Sequence, residues 1–246
     1  MEDERAQNEG ELWVKVFSRG NLIAAMDRVV KNGGAPGVDG MTVEELPEHL
    51  KEHWPSIRER LEMGKYEPSP VKRVEIPKPG GGTRKLGIPT VLDRMIQQAL
   101  QQVLSEVYEE SFSDHSYGFR PGRSAHDAVE AAREYIESGY KWVVDIDMDK
   151  FFDTVNHDRL IARMKTKIDD KRVLRLVNEY LKAEILADGM IVANKVGTPQ
   201  GGPLSPLLSN IVLSELDEKL EERGTALCAM RMTATSTSKA RDRQSE

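Results

Sequence analysis

The stretch from Trp142 to His157, WVVDIDMDKFFDTVNH, limits what this chain can fold into more than any other. A short apolar run, Trp142-Val143-Val144, leads into acids at alternate positions, Asp145, Asp147 and Asp149. A strand turns successive side chains to opposite faces, so the three carboxylates share one face at its exit. Carboxylates crowded there repel one another and are costly to bury unpaired. A divalent cation removes that cost. The competing reading is a solvated strand end with its acids in water, which is the commoner case for an isolated Asp-x-Asp. The rest of the chain decides between them.

A chain of 246 residues can hold one or two domains, and 39% hydrophobic with 31% charged residues is ordinary for a globular protein. No apolar run approaches the length of a membrane span, and the acidic start MEDERAQNEGE is no signal peptide. The single cysteine, Cys228, rules out an internal disulfide and suits a reducing compartment, so a cytoplasmic protein with no membrane partner is expected. The net charge of −6 excludes a uniformly basic nucleic-acid binder. Locally the balance reverses. Between Lys65 and Arg94 seven cations face three acids, a surplus able to follow a phosphate backbone.

Residues 11–31 carry Trp13, Val16, Phe17, Leu22, Ile23, Met26, Val29 and Val30 at helical spacing, which predicts one or two packed helices. After the Gly-rich loop KNGGAPGVDGMT, Thr42 and Glu45 form a capping box for a helix. That helix has Val43, Leu46, Leu50, Trp54, Ile57 and Leu61 on its apolar face. Residues 65–90 alternate as strands around the turn Pro77-Lys78-Pro79-Gly80-Gly81-Gly82, a long basic hairpin. Glycines at its tip let backbone N–H groups approach an anion, with Lys78, Arg84 and Lys85 adding charge; a plain exposed hairpin is the equal alternative. A core-facing helix follows from about Leu92 to Ser111, and Ser124 caps another on Ala125, Ala128, Val129, Ala132, Tyr135 and Ile136. His115 and His126 have no partner at metal-ligand spacing and read as surface or capping residues. A strand pair turning at Asp188-Gly189 leads to Thr198-Pro199-Gln200-Gly201-Gly202-Pro203 and a final helix on Leu204, Leu207, Leu208, Ile211, Val212 and Leu216. Two glycines and the Gln200 amide at a helix N-terminus suit a phosphate or a base edge.

Taken in order, these segments resemble a group II intron-encoded reverse transcriptase/maturase. GVDGMT (37–42) is similar to its first block, and VEIPKPGGGTRKLGIPTVLDRMIQQAL (74–100) to the basic fingers hairpin with its helix. FSDHSYGFRPGRSAHDAV (112–129) resembles the insertion of this branch. DIDMDKFFDTVNHDRL (145–160) resembles motif A and GTPQGGPLSPLLSNIVLSELD (197–217) motif B of the polymerase palm. Retron and CRISPR-associated reverse transcriptases share the palm, but FRPGRS and PQGGPLSPLLSN favour the group II type.

The resemblance implies an α+β reverse-transcriptase right-hand fold, fingers plus an incomplete palm, with an antiparallel sheet and packed helices. Residues 1–36 would be an N-terminal helical extension, 37–141 the fingers, 142–223 a partial palm and 224–246 a tail outside the family. By the same resemblance, Asp147 is the catalytic metal ligand, with the Ile146 carbonyl beside it, and Phe152 is the ring that discriminates against a 2′-hydroxyl. Lys78 and Arg84 would grip the triphosphate of a deoxynucleotide (dNTP), and Gln200 with Gly201 would touch nucleotide and template. Lys72, Arg73, Lys85, Arg120 and Arg123 would bind RNA, although Lys85 stands where the family usually has Pro. The implied partners are intron RNA, template RNA with primer DNA, and dNTP; the cofactor is Mg²⁺, and the reaction is attack of a 3′-hydroxyl on an α-phosphate.

One part is missing. The palm needs a second aspartate pair in a Tyr-Ala-Asp-Asp turn after the motif B helix, and GTALCAMRMTATSTSKARDRQSE contains none. Its composition predicts a disordered end. A shifted reading frame joining the last base of each codon to the first two of the next permits HRFVRYADD over Gly224 to Thr233; Met232-Thr233 then must encode Asp. The expectation is therefore a frameshift near codon 224 that removes the catalytic turn, thumb and maturase region. Such a fragment would be truncated and inactive, with a bare and aggregation-prone edge on the acidic strand. The alternative is a non-catalytic module that binds intron RNA.

Overall fold

The computed structural model describes residues 10–77, 83–148, 151–199, 201–230 and 233–238. In chain order its elements are α1 (Glu11–Val16), α2 (Arg19–Asn32), α3 (Leu46–Glu62), β1 (Val71–Pro77), β2 (Thr83–Ile88), α4 (Val91–Glu109), α5 (Ala125–Glu137) and β3 (Trp142–Asp147). They continue with α6 (Phe151–Thr154), α7 (His157–Met164), α8 (Lys171–Lys182), β4 (Ile185–Ala187), β5 (Met190–Val192), α9 (Ser205–Glu222), β6 (Ala226–Met230) and β7 (Thr233–Ser238). Two compact units result, Met1–Val107 with Phe152–Ser205 and Tyr108–Phe151 with Pro206–Glu246.

In the first unit, local chemistry sets most boundaries. Ser18 separates α1 from α2 and caps the second, its hydroxyl accepting from the Asn21 N–H. The Thr42–Glu45 pair acts as expected only in part. The Glu45 carboxylate accepts from the Thr42 N–H at 2.7 Å, but the two residues close a turn and α3 starts at Leu46. At Asp188 and Gly189 the backbone φ values are 51° and 78°, so a two-residue type I′ turn closes the β4–β5 hairpin. Along α4, Met95, Ile96, Ala99, Leu100, Val103 and Leu104 are all buried. Burying each of the larger ones is worth roughly 1.5–3 kcal/mol.

The sheet of this unit runs β2-β1-β4-β5. Glu75 lies opposite Lys85 and Val74 opposite Leu86 across the antiparallel β1–β2 pair, while β4 joins β1 in parallel at Val71–Ile185 and Lys72–Leu186. The expected antiparallel pairing thus carries one parallel pair in this sheet. The parallel pair arises because β4 reaches β1 through a long connection rather than a hairpin, and such a connection permits either direction. Asp93 knots the unit together. Its buried carboxylate accepts from the Tyr66 hydroxyl at 2.7 Å, the Thr90 hydroxyl at 2.7 Å, the Ser69 N–H at 3.1 Å and the Tyr180 hydroxyl at 3.2 Å. Burial pushes the Asp93 carboxyl upward despite these donors, and burial beside it holds both tyrosines well above the usual phenol range.

In the second unit, Ser124 and Asp127 form the reciprocal capping box that opens α5, and α5 packs on β6. The sheet order is β3-β7-β6, antiparallel throughout. This corrects the reading of the tail. Residues 226–230 and 233–238 are strands, and β7 pairs with β3 over its whole length, from Trp142–Ser238 to Asp147–Thr233. The acidic strand is therefore paired on one side. Thr and Ser residues lack an apolar period, but their backbones supply every ladder hydrogen bond, and β-branched Thr suits a strand. Ala229 anchors the hairpin further: its N–H donates to the His115 carbonyl and its carbonyl accepts from the Tyr117 N–H, both at 2.9 Å.

Candidate functional site

The first unit contains a cavity of about 300 Å³ between its sheet and the loop that precedes α9. Arg73 and Lys85 line it from β1 and β2; Phe152, Asp153, Asn194 and Thr198 line it from the other side. The loop is held by several bonds. The Gly197 N–H donates to the Val155 carbonyl at 2.8 Å, and the Thr198 N–H to the Phe152 carbonyl at 2.7 Å. Buried His157 contacts the Gly197 carbonyl through Nε2 at 2.6 Å, and the Asn194 amide donates to the carbonyls of Leu181 at 2.7 Å and Gly197 at 3.4 Å.

Two glycines make this approach possible. At Gly197 φ is +90°, and an added Cβ would lie 2.7 Å from the Phe152 carbonyl oxygen. At Gly201 φ is +124°, and an added Cβ would lie 2.2 Å from the Gly87 carbonyl oxygen. Only glycine fits either position.

The structure distributes the sequence-assigned residues unevenly. Arg73 and Lys85 meet at the cavity, with Arg73 half-buried and Lys85 exposed, while Lys72 is exposed on the same hairpin. Lys78, Gln200 and the side chain of Arg84 lie outside the described residues. The Phe152 ring is buried in the first unit; Asp147 is exposed at the end of β3 in the second, with Ile146 half-buried beside it. Asp145 is exposed as well, and Asp149 lies outside the described residues.

Arg120 proves to have another task from the RNA contact expected of it. It is only 7% exposed, and its guanidinium pairs with the Glu109 carboxylate at 2.9 Å and donates to the carbonyls of Glu109, Ser113 and Ser116. A buried guanidinium spent on four acceptors holds its own loop. Arg123 is bound to Asp114 at 2.8 Å and lies over the Tyr117 ring. His115, expected at the surface or in a cap, is half-buried and shares a 2.9 Å hydrogen bond with the Tyr135 hydroxyl.

Sequence reading missed Asp153, Asn194, His157 and Thr198. Only Thr198 carried a signal, its place directly before Pro199-Gln200-Gly201-Gly202-Pro203. Among the described residues no group of three or more His, Cys, Asp or Glu is placed to hold a metal ion. Nor is any helix of the described residues long and apolar enough to cross a membrane.

Residues 76–231 match the family model of the reverse transcriptase (RNA-dependent DNA polymerase). Protein YkfC of Escherichia coli (strain K12) is 39% identical over 197 residues, covering 78% of this chain and 52% of that protein. The group II intron-encoded protein LtrA of Lactococcus lactis subsp. cremoris is 42% identical over 163 residues, covering 66% of this chain and 27% of LtrA. The chain thus spans about half the length of one relative and about a quarter of the other. Among solved structures, a chain of a partial Cas6-RT-Cas1–Cas2 complex superposes with a TM-score of 0.59 at 24% identity, over 92% of this chain and 38% of that one. A chain in the telomerase structure from Candida albicans gives 0.53 at 13%, over 77% of this chain and 42% of that one. Those two likenesses concern the fold alone. With the family match spanning well over half of its residues, the chain belongs to the reverse transcriptases, and its intron-encoded relatives place it with the group II intron type, of which it carries a fingers and palm part.

Proposed function

We propose that this chain is the template- and nucleotide-holding framework of a group II intron RNA-directed DNA polymerase, and that it does not extend a primer by itself. One observation carries the reading: the register of the second sheet sets position 233 directly across from Asp147. Facing residues of an antiparallel pair have Cα atoms about 4.5–5.5 Å apart, so an acid at 233 would meet the Asp147 carboxylate. Here those positions are Met232 and Thr233, and no aspartate occurs between Asp217 and Asp242.

The family uses Mg²⁺, and two-metal chemistry needs carboxylates from more than one strand. Asp145 and Asp147 stand two apart on one strand, with threonines at the facing positions Thr235 and Thr233. These residues do not fit a two-metal site, and no step through the metal follows from them. A shifted frame near codon 224 would account for the substitution: it permits an aspartate pair at positions 232 and 233. In the framework role, Lys78 and Arg84 hold the triphosphate, Gln200 and Gly201 face nucleotide and template, and Lys72, Arg73 and Lys85 follow RNA, in the cytoplasm. Intron RNA, template and primer are the proposed partners.

The test is primer extension on an RNA template with dNTP and Mg²⁺. The wild-type chain is expected to give no product. Met230→Tyr, Arg231→Ala, Met232→Asp and Thr233→Asp together should give template-dependent product that Asp147→Ala abolishes. Extension by the wild-type chain that depends on Asp147 would overturn the reading. A quadruple variant that binds RNA but extends nothing would favour the RNA-binding module, for which exposed Lys72 and Lys85 are the supporting observation.

A further inference from the structure

The sheet of the second unit has two edges, and they end differently. Beyond β6, the segment 115–117 takes up the backbone: the Ala229 N–H donates to the His115 carbonyl, the Ala229 carbonyl accepts from the Tyr117 N–H, and Ser116 bridges to Ala229. Beyond β3 no strand follows among the described residues. This open edge is six residues long and carries Trp142, Val143 and Val144, all exposed, with neither proline nor glycine to blunt it. Lys141, Asp145 and Asp147 are exposed too and form no ion pair among the described residues. The strand β5 also lies at an edge, in the other sheet, but has only three residues.

An open edge of this kind can pair with a second copy of itself, and backbone geometry limits how. In an antiparallel ladder each residue turns its N–H and its C=O to the same side, and successive residues turn to opposite sides. The strand β7 takes one set, so the outer edge of β3 offers the other, with positions all odd or all even. Two copies that meet across a twofold axis therefore set odd against odd and even against even. Pairing about the middle of Trp142–Asp147 is excluded, because it sets odd against even. Two registers keep most of the strand paired, centred on Val144 or on Asp145.

The side chains choose between them. Centring on Asp145 puts that carboxylate against its own copy, and like charges face to face are destabilising. Centring on Val144 puts Lys141 against Asp147 twice, Trp142 against Ile146 twice, and Val144 against itself. One face then carries an unbroken stripe of Trp142, Val144 and Ile146 from both copies, and the other carries two ion pairs. Asp145 faces Val143 and lies only diagonally from its copy, about 7–8 Å away. Asp147, across from Thr233 on one side, gains a cation on the other.

We propose that the chain forms a closed twofold dimer through antiparallel β3–β3 pairing centred on Val144. With the β6 edge already occupied, each copy offers one such edge in this sheet, so assembly stops at two. A single strand pair is a small interface, which sets Kd on the order of tens of micromolar. The dimer does not depend on the framework reading above.

Sedimentation equilibrium of the full chain from about 1 to 200 µM, spanning that Kd, tests this. The wild-type chain is expected to pass from monomer to dimer and no further. Lys141→Glu and Asp147→Lys should each weaken the dimer by about tenfold, since each sets like charges face to face at both ends of the ladder. Mixed in equal amounts, the two variants should restore it, because opposite charges then face each other at both ends. Asp145→Asn should tighten it by about twofold. Thermal melting checks that each variant is folded, and restoration on mixing cannot come from unfolded chains.

A wild-type chain that stays monomeric over the whole range overturns the dimer, as does assembly that continues beyond two copies. A dimer that folded Lys141→Glu and Asp147→Lys leave unchanged places the contact on another surface, such as the β5 edge, and overturns the proposal. Failure of the mixture to restore the dimer overturns it as well, because the register then is not the one centred on Val144.

Discussion

Each unit is built around a β-hairpin, and the two hairpins work differently. The β1–β2 hairpin is charged, with Lys72, Arg73, Glu75 and Lys85 along it, and joins a four-stranded sheet in a unit rich in buried Leu, Ile, Met and Val. The β6–β7 hairpin is made of Ala, Leu, Cys, Met, Thr and Ser and completes a three-stranded sheet. In that second unit Trp142 is 65% exposed and Val143 and Val144 53% each, and Val129 and Ile136 on α5 are exposed as well. The contrast separates two requirements. Pairing needs only backbone groups and a tolerant side-chain set, so an unpatterned segment can fill a strand position. A self-sufficient core, like a catalytic site, needs particular side chains at particular places.

The contrast can be broken in a definite order. Asp93→Ala should have the largest effect, about 3–5 kcal/mol in chemical denaturation, because four donors lose their acceptor inside the first unit. A cost near that of a surface mutation would show that the knot around Asp93 is not holding this unit. In the second unit, Arg120→Ala should cost about 3 kcal/mol by leaving the Glu109 carboxylate and three carbonyls without their donor, whereas Arg123→Ala, on the rim, should cost less than about 1 kcal/mol.

Asp217 sharpens the picture through pH. Burial, then Glu221 and Glu218, raise its pKa from 3.8 to about 6. Below pH 4 the folded and unfolded chains are both protonated and the residue costs nothing. Between about 4 and 6 the unfolded chain releases its proton first, so stability falls as pH rises, and above 6 the penalty is complete. Asp217→Asn should therefore stabilise the chain by about 2–3 kcal/mol at pH 7 and by almost nothing at about pH 3. Equal effects at the two pH values would sink this account. The smallest change is expected at the exposed strand. Trp142→Ser with Val144→Thr should alter stability by less than about 0.5 kcal/mol while lowering self-association in light scattering. A large loss of stability there would mean that these side chains are packed in solution.

Much of the fold was legible in residues close in sequence. The three-one spacing of Met95, Ile96, Ala99, Leu100, Val103 and Leu104, the Ser124 cap and the Asp188-Gly189 turn each depend on neighbours within a few positions, and each forms as read. The five ordered motif blocks were equally visible, and with them the family. The site was legible in its cations and glycines but not in its buried polar groups. Nothing near Thr198 in sequence shows that its hydroxyl is buried without a partner among the described residues, since Phe152, Arg73 and Lys85 come from distant segments.

By itself, then, the sequence determined the long helices, the β1–β2 and β4–β5 hairpins though not the β6–β7 one, the place of the basic surplus, and the absence of the aspartate pair after α9. Tertiary structure alone decided that β4 pairs in parallel with β1, that Arg120 is buried, and that Thr233 faces Asp147. The physical reason is range. Periodicity, caps and turns are set by energies between neighbours. Strand partners, burial and the satisfaction of polar groups are set by contacts between segments that lie far apart along the chain.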